Sequence, residues 1–208
     1  MSSSAGSLTR AALGLRAHSG WAVLVAVAGP ITKPAVILRR RIELCDRRVS
    51  GSVQPYHAAR LMKLEAAQAF LNERADSSRR MASEAIRTAL AELTNQGYRA
   101  AASCILLGSG RMTHGLAAIL ASHPAVHTAE GEFYREALRW GCESCGLTVS
   151  GVKERDLLTQ SAAALHLSAT EIDRRLAALG KLIGPPWRQD EKLSALASWL
   201  LLANSANC

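Results

Sequence analysis

Residues 11–46 constrain the fold more than any other stretch, because three apolar runs follow one another with only short turns between them. Arg16-Ala17-His18-Ser19-Gly20 separates the first run from the second, and Gly29-Pro30-Ile31-Thr32-Lys33-Pro34 separates the second from the third. Runs this short, bounded by glycine and proline, read as strands. Residues 11–17 make the first, residues 21–28 a buried second, and residues 35–45 a third. In the third, Val36, Leu38, Ile42 and Leu44 share a face that Arg40 interrupts, while Arg39, Arg41 and Glu43 share the other. One wet face places that strand towards a sheet edge. Arg39-Arg40-Arg41 accordingly reads as a solvated strand face rather than a nucleic-acid patch.

Beyond a polar loop, residues 56–93 turn to helical spacing, with Leu61, Leu64 and Ala67 recurring and then Ile86, Leu90 and Leu93. Asp76-Ser77-Ser78 either caps a second helix there or lies on the polar face of one long helix. Asn95-Gln96-Gly97 is a stop, and residues 98–107 form a buried strand meeting the tight loop Gly108-Ser109-Gly110. A helix over residues 116–121 breaks around Ser122-His123-Pro124 and resumes over residues 129–145, offering Phe133, Leu138 and Trp140 to the core. Residues 147–152 are the last strand. Ser168-Ala169-Thr170-Glu171 is a capping box, Gly184-Pro185-Pro186-Trp187 a rigid corner, and residues 190–203 a final helix. The expected architecture is a disordered lead-in over residues 1–10, then one α/β domain over residues 11–208 with a mixed sheet of about five strands.

At 208 residues the chain can bury a core without metals or disulfides. A net charge of +8 permits an anionic partner, either nucleic acid or a phosphorylated small molecule, without requiring one. Five irregularly spaced cysteines argue against a disulfide framework and fit a reducing cytoplasm. The rival reading of residues 21–28 is a signal-peptide core, since Arg10 and Arg16 precede it and Ala-Val-Ala ends it. No run reaches the ~18 apolar residues of a membrane span, so no membrane partner is expected. The chain has no Walker loop, Rossmann fingerprint or G-x-S-x-G elbow. With 4% aromatic residues, stacking platforms for single-stranded nucleic acid are poorly supplied.

Three local passages fit one known order of elements. They are Leu13-Gly14-Leu15-Arg16-Ala17-His18-Ser19-Gly20-Trp21-Ala22; Gly146-Leu147-Thr148-Val149 with Val152-Lys153-Glu154-Arg155; and Asp190-Glu191-Lys192-Leu193-Ser194-Ala195-Leu196-Ala197. They look like an opening strand and turn, a last strand, and a late acidic helix. With three strands, a long helix, a strand, a helix, a strand and terminal helices, the chain resembles the ribonuclease H-like superfamily, in its resolvase and predicted-nuclease branch. The likeness spans nearly the whole chain and is one of element order. It implies a ribonuclease H-like α/β fold. Members with nuclease activity carry an aspartate near the centre of the first strand, because paired divalent cations need carboxylates. The matching position here is Arg16, which cannot ligate Mg²⁺, and the strand ending in Leu106-Leu107 offers no carboxylate. Asp190 and Glu191 are the acids that remain.

In this topology the first, third and fourth strands run the same way and end on one edge. An anion site is therefore expected there, lined by Arg16, His18, His57, Gly108, Ser109 and Gly110. A second candidate, His123, His127, Glu130 and Glu132, pairs histidine with carboxylate for acid–base work or metal binding. Its spacing matches no named metal motif, so no metal ligand is assigned and the cofactor stays unknown. Cys142-Glu143-Ser144-Cys145 is a lone CxxC near a helix C-terminus and reads as a structural pair. The leading functional expectation is a degenerate nuclease-like domain binding nucleic acid or a phosphorylated ligand. The alternatives are a hydrolase or phosphoryl-transfer enzyme using a His/Glu site, and a non-catalytic subunit whose Trp199-Leu200-Leu201-Leu202 helix makes a homo-oligomer.

Overall fold

The computed structural model describes residues 7–110 and 115–205. The apolar runs at the start form strands β1 (Thr9–His18), β2 (Trp21–Ala28) and β3 (Ala35–Glu43). Most of the expected lead-in lies outside the described residues, and Thr9 and Arg10 already belong to β1. Helix α1 (Pro55–Ala59) and the long helix α2 (Leu64–Asn95) follow, then strand β4 (Tyr98–Leu107). Helices α3 (Leu116–Ala121) and α4 (His123–Ser144) lead to β5 (Thr148–Lys153). Helices α5 (Glu154–Leu165), α6 (Ala169–Ile183) and α7 (Gln189–Asn204) complete the chain.

The five strands lie in the order β3-β2-β1-β4-β5. β2 runs antiparallel to both neighbours, while β1 pairs parallel with β4 and β4 with β5. The ends at His18, Glu43, Leu107 and Lys153 therefore share one edge, as expected. β3 is an edge strand, also as expected.

Alternation along the strands builds two cores, one on each sheet face. Leu13 and Leu15 of β1 and Leu24 of β2 pack with Ile86 and Leu93 of α2 and with Tyr134 and Leu138 of α4. Ala12, Val23, Val25 and Val27 face the other way, onto Leu196, Trp199 and Leu200 of α7. A register shift between Ala26 and Val27 carries Val36 to the α7 face, away from Leu38 and Ile42, so the expected single apolar stripe of β3 is divided. α7 is apolar nearly all round because it is covered on several sides. Trp199, Leu200 and Leu202 are buried within the chain's own core, which removes them as an oligomer interface.

α7 can lie close to the sheet because the contact residues are small. At Gly14 an added Cβ would stand 1.8 Å from the Ser194 carbonyl oxygen. Ser198 Oγ donates to the Ala12 carbonyl at 2.6 Å and accepts from the Val27 amide at 3.1 Å, so the buried hydroxyl and both backbone groups are satisfied.

Several local expectations are corrected. Of the two readings of Asp76-Ser77-Ser78, the single long helix holds and the second cap does not, and Ser78 is buried rather than on the polar face. Leu61 is 93% exposed, and Leu64 and Trp140 are exposed too, so they are not core residues. The break expected around Ser122-His123-Pro124 falls at the extended Ser122, but α4 resumes at once at His123 rather than at residue 129, because proline in a first turn forfeits no helical hydrogen bond. Ser122 caps it by accepting from the Ala125 amide. Among the described residues no helix is long and apolar enough to cross a membrane.

Candidate functional site: two clusters at one sheet edge

Period-two alternation puts Arg16 on the α7 face of β1, one pleat beyond Gly14. Its guanidinium reaches both terminal helices of that layer. Nε and Nη2 donate to the two carboxylate oxygens of Glu154 at 3.0 and 2.9 Å, a bidentate pair at the start of α5, and Nη1 donates to Asp190 of α7. Burial alone would lower the Arg16 pKa, but the bonds to Glu154 and Asp190 outweigh it and hold the group above its ordinary value. His18 joins the same cluster, its Nε2 lying 3.1 Å from Asp190. Its ring stacks on Trp21 at 4.2 Å, and the Arg41 guanidinium lies 4.0 Å from the Trp21 ring.

The other two arginines of the run are also engaged. Arg39 donates to the carbonyls of Gly184, Pro185 and Pro186, and Arg40 pairs with Glu92. The run is held by local partners rather than displayed as a cationic patch.

Next to the Arg16 cluster lies a groove of about 840 Å³, between the end of β4 and helices α5 to α7. Ser109, Glu154, Arg155, Asp173, Gln189 and Lys192 supply its polar lining over an apolar floor. Lys192 has no ion-pair partner among the described residues, whereas Arg155 is 3.5 Å from Asp156.

His57 sits elsewhere. It rides on α1, which packs against α2 and α4 on the opposite side of the sheet. Both its backbone N–H and its Nδ1 meet Glu130 Oε1, at 3.0 and 3.1 Å. Glu130 is only 4% exposed, and its Oε2 is buried without a hydrogen-bond partner among the described residues. Burial pushes the Glu130 carboxyl up, and the bonds from His57 pull it back without cancelling the shift. The α4 helix running through Pro124 places His123 and His127 one turn apart, beside His57. The His123 pKa is lowered, first by His127 and then by burial, Arg60 and His57. Glu132 is not part of this group; it pairs with Arg135 at 2.7 Å.

The expected single anion site is therefore divided. Arg16 and His18 meet on the α7 side, while His57 meets His127 and Glu130 on the α4 side. The loop between them touches both: Ser109 lines the groove with Glu154, and Gly110 lies against Thr128, next to His127. Gly108 abuts the Arg135 guanidinium, with 2.7 Å to an added Cβ. Glu154 is the Arg16 partner the sequence did not single out, because nothing local marks an acid at a helix start as the partner of a strand arginine. Cys142 is fully buried, with its thiol pushed up to about 11 by burial, and the Cys145 thiol lies 3.6 Å from the Ser83 carbonyl, a structural arrangement.

No family model and no curated protein matches the chain. Solved structures do. The RuvC structure of Thermus thermophilus aligns over 95% of this chain and 96% of its own, with a TM-score of 0.55 and 10% identity. T. thermophilus RuvC in complex with a Holliday junction substrate aligns over the same shares, with a TM-score of 0.54 and 9% identity. At such identities the likeness is one of fold: this is a single α/β domain of the ribonuclease H-like fold.

Proposed function

We propose that this domain binds nucleic acid or a phosphorylated ligand at the α5–α7 edge of its sheet and does not perform two-metal cleavage there. One observation carries the reading: the Arg16 guanidinium occupies the space between Glu154 and Asp190 and takes both carboxylates as partners. A cation fixed by two acids leaves those acids unable to hold Mg²⁺ without first losing a charge-assisted pair. The adjoining groove keeps Lys192, Arg155 and the Ser109 hydroxyl for phosphate oxygens. The fold is one in which a RuvC structure holds a Holliday junction, which makes branched DNA the first probe.

The test is fluorescence anisotropy with duplex and four-way-junction DNA across a salt series, alongside a cleavage assay in Mg²⁺ and Mn²⁺. Binding that weakens with salt, and by about tenfold or more in a double alanine variant of Arg155 and Lys192, is expected. Binding of a fluorescent nucleotide, lost in the same double variant, with no binding of DNA would narrow the ligand to small phosphorylated molecules. Mg²⁺-dependent cleavage abolished by D190N and E154Q would overturn the reading.

A second reading, a hydrolase or phosphoryl-transfer enzyme, draws support from the His57–Glu130 bond, since a carboxylate-oriented imidazole is a competent general base. Turnover of a chromogenic phosphoester that is lost in E130Q would favour it.

A further inference from the structure

On the α4 side of the sheet the three imidazoles of His57, His123 and His127 converge. Their ligand nitrogens all lie within 4.8 Å of one another. Ring centres are 5.9 Å apart for His57–His123, 4.8 Å for His57–His127 and 4.4 Å for His123–His127, with interplanar angles of 83°, 64° and 74°. With a Zn–N bond of about 2.0 Å, the centre of an imidazole lies about 3.2 Å from the ion, and tetrahedral angles then set ring centres about 5.2 Å apart. The observed separations bracket that value.

The chemistry of the donor set fits as well. Oε1 of the buried Glu130 accepts the His57 amide and lies 3.1 Å from Nδ1; the tautomer in which Nδ1 donates to that carboxylate leaves the Nε2 lone pair free as a ligand atom. A carboxylate holding a histidine through its non-ligating nitrogen is the arrangement that fixes tautomer and ring direction at metal centres. The partnerless, buried Oε2 of Glu130 is a cost that a charge-compensating cation bound at His57 would offset. His123 and His127 occupy i and i+4 on one helix face, and both are exposed, so they can close the remaining distance by side-chain rotation.

We propose that His57, His123 and His127 bind a zinc ion, with Glu130 orienting His57 through Nδ1 and a fourth coordination position open to solvent. Three neutral imidazoles suit zinc rather than magnesium or calcium, which take oxygen ligands. Arg60, close enough to act on His123, favours an anionic exogenous ligand at the open position, hydroxide or a carboxylate or phosphate oxygen. Among the histidines and acids of the α4 segment, the structure assigns His123 and His127 as ligands and Glu130 as the positioning residue, and it excludes Glu132. The site shares no residue with the groove, so neither proposal depends on the other.

The test uses untagged full-length protein stripped with a chelator, titrated with Zn²⁺ by calorimetry and with Co²⁺ by absorption. One ion per chain is expected, with the intense d–d bands of four-coordinate Co²⁺, no thiolate charge-transfer band, and a Tm that rises with Zn²⁺. H123A and H127A, at exposed positions and checked for native circular dichroism, should each weaken binding at least tenfold. E130Q, which keeps the side-chain volume, should weaken it roughly 10–100-fold, and H18A should leave it unchanged. Absence of stoichiometric binding to the folded wild-type protein would overturn the proposal. So would unchanged affinity in the double variant of His123 and His127, or a Co²⁺–thiolate band placing the ion on cysteines.

Discussion

Arg16 is tied to carboxylates on two different helices, and its worth depends on how wet those contacts are. Its side chain is 22% exposed, that of Asp190 23% and that of Glu154 42%. An exposed pair contributes little, whereas an acid left facing another acid in a half-buried site is costly. R16A should therefore lower stability by about 1–2 kcal/mol, measured by urea denaturation, and adding D190N to R16A should recover part of it by relieving the repulsion. If R16A alone is neutral, the pairing is a surface contact. Elsewhere on the surface, the Arg174 and Arg175 bonds hold the Glu171 carboxyl down at about 2, and Arg48 holds Asp46 there too. Both acids have folded values below their unfolded ones. Their contribution is thus fully present above about pH 4.5 and is lost as pH falls towards about 2. E171Q should flatten that part of the stability–pH curve and leave the neutral region nearly unchanged.

Among the elements, α7 and β1 are the pair whose spacing is set most tightly. The helix backbone passes close over Gly14, and Ser194 and Ser198 supply the remaining polar matches to the Val23 and Ala12 carbonyls. A methyl group at Gly14 meets a backbone oxygen rather than a side chain that can rotate aside. G14A should cost about 3 kcal/mol or more by forcing the layer apart, visible as a fall in Tm with native-like far-UV circular dichroism at low temperature. An unchanged Tm would mean that α7 shifts freely. The same scale explains which elements were legible beforehand. The strands announced themselves through short apolar runs and turn residues. The α4 start did not, because proline breaks a helix interior yet suits a first turn, and only the Ser122 cap distinguishes the two cases.

For the whole molecule, one sheet buried on both faces makes the two cores mechanically dependent: β1 and β2 contribute alternate residues to each. Two free thiols report on them separately. Cys104 lies in the α7-side core and Cys142 in the α4-side core, and burial raises the pKa of both. Pulse alkylation read by mass spectrometry along a urea series should modify the two cysteines at the same midpoint, as one cooperative unit requires. Separate midpoints would show that one layer opens without the other.

The sequence alone determined the kind of architecture: strand, turn and helix signals act over a few residues, and their order was enough to indicate a ribonuclease H-like sheet with β3 at its edge. It also marked Arg16, His18, His57, His127 and Glu130 as chemically interesting. The partnerships were decided by tertiary structure. Arg16 meets Glu154 across 138 positions and Asp190 across 174, and His57 meets Glu130 across 73. Whether a side chain at the edge faces α7 or α4 depends on pleat, register shift and helix docking, which accumulate along the chain and cannot be read from any one window of it. For that reason the expected anion site is divided between opposite faces: Arg16 and His18 stay on the α7 side with Asp190, while His57 joins the separately expected His127 and Glu130 on the α4 side.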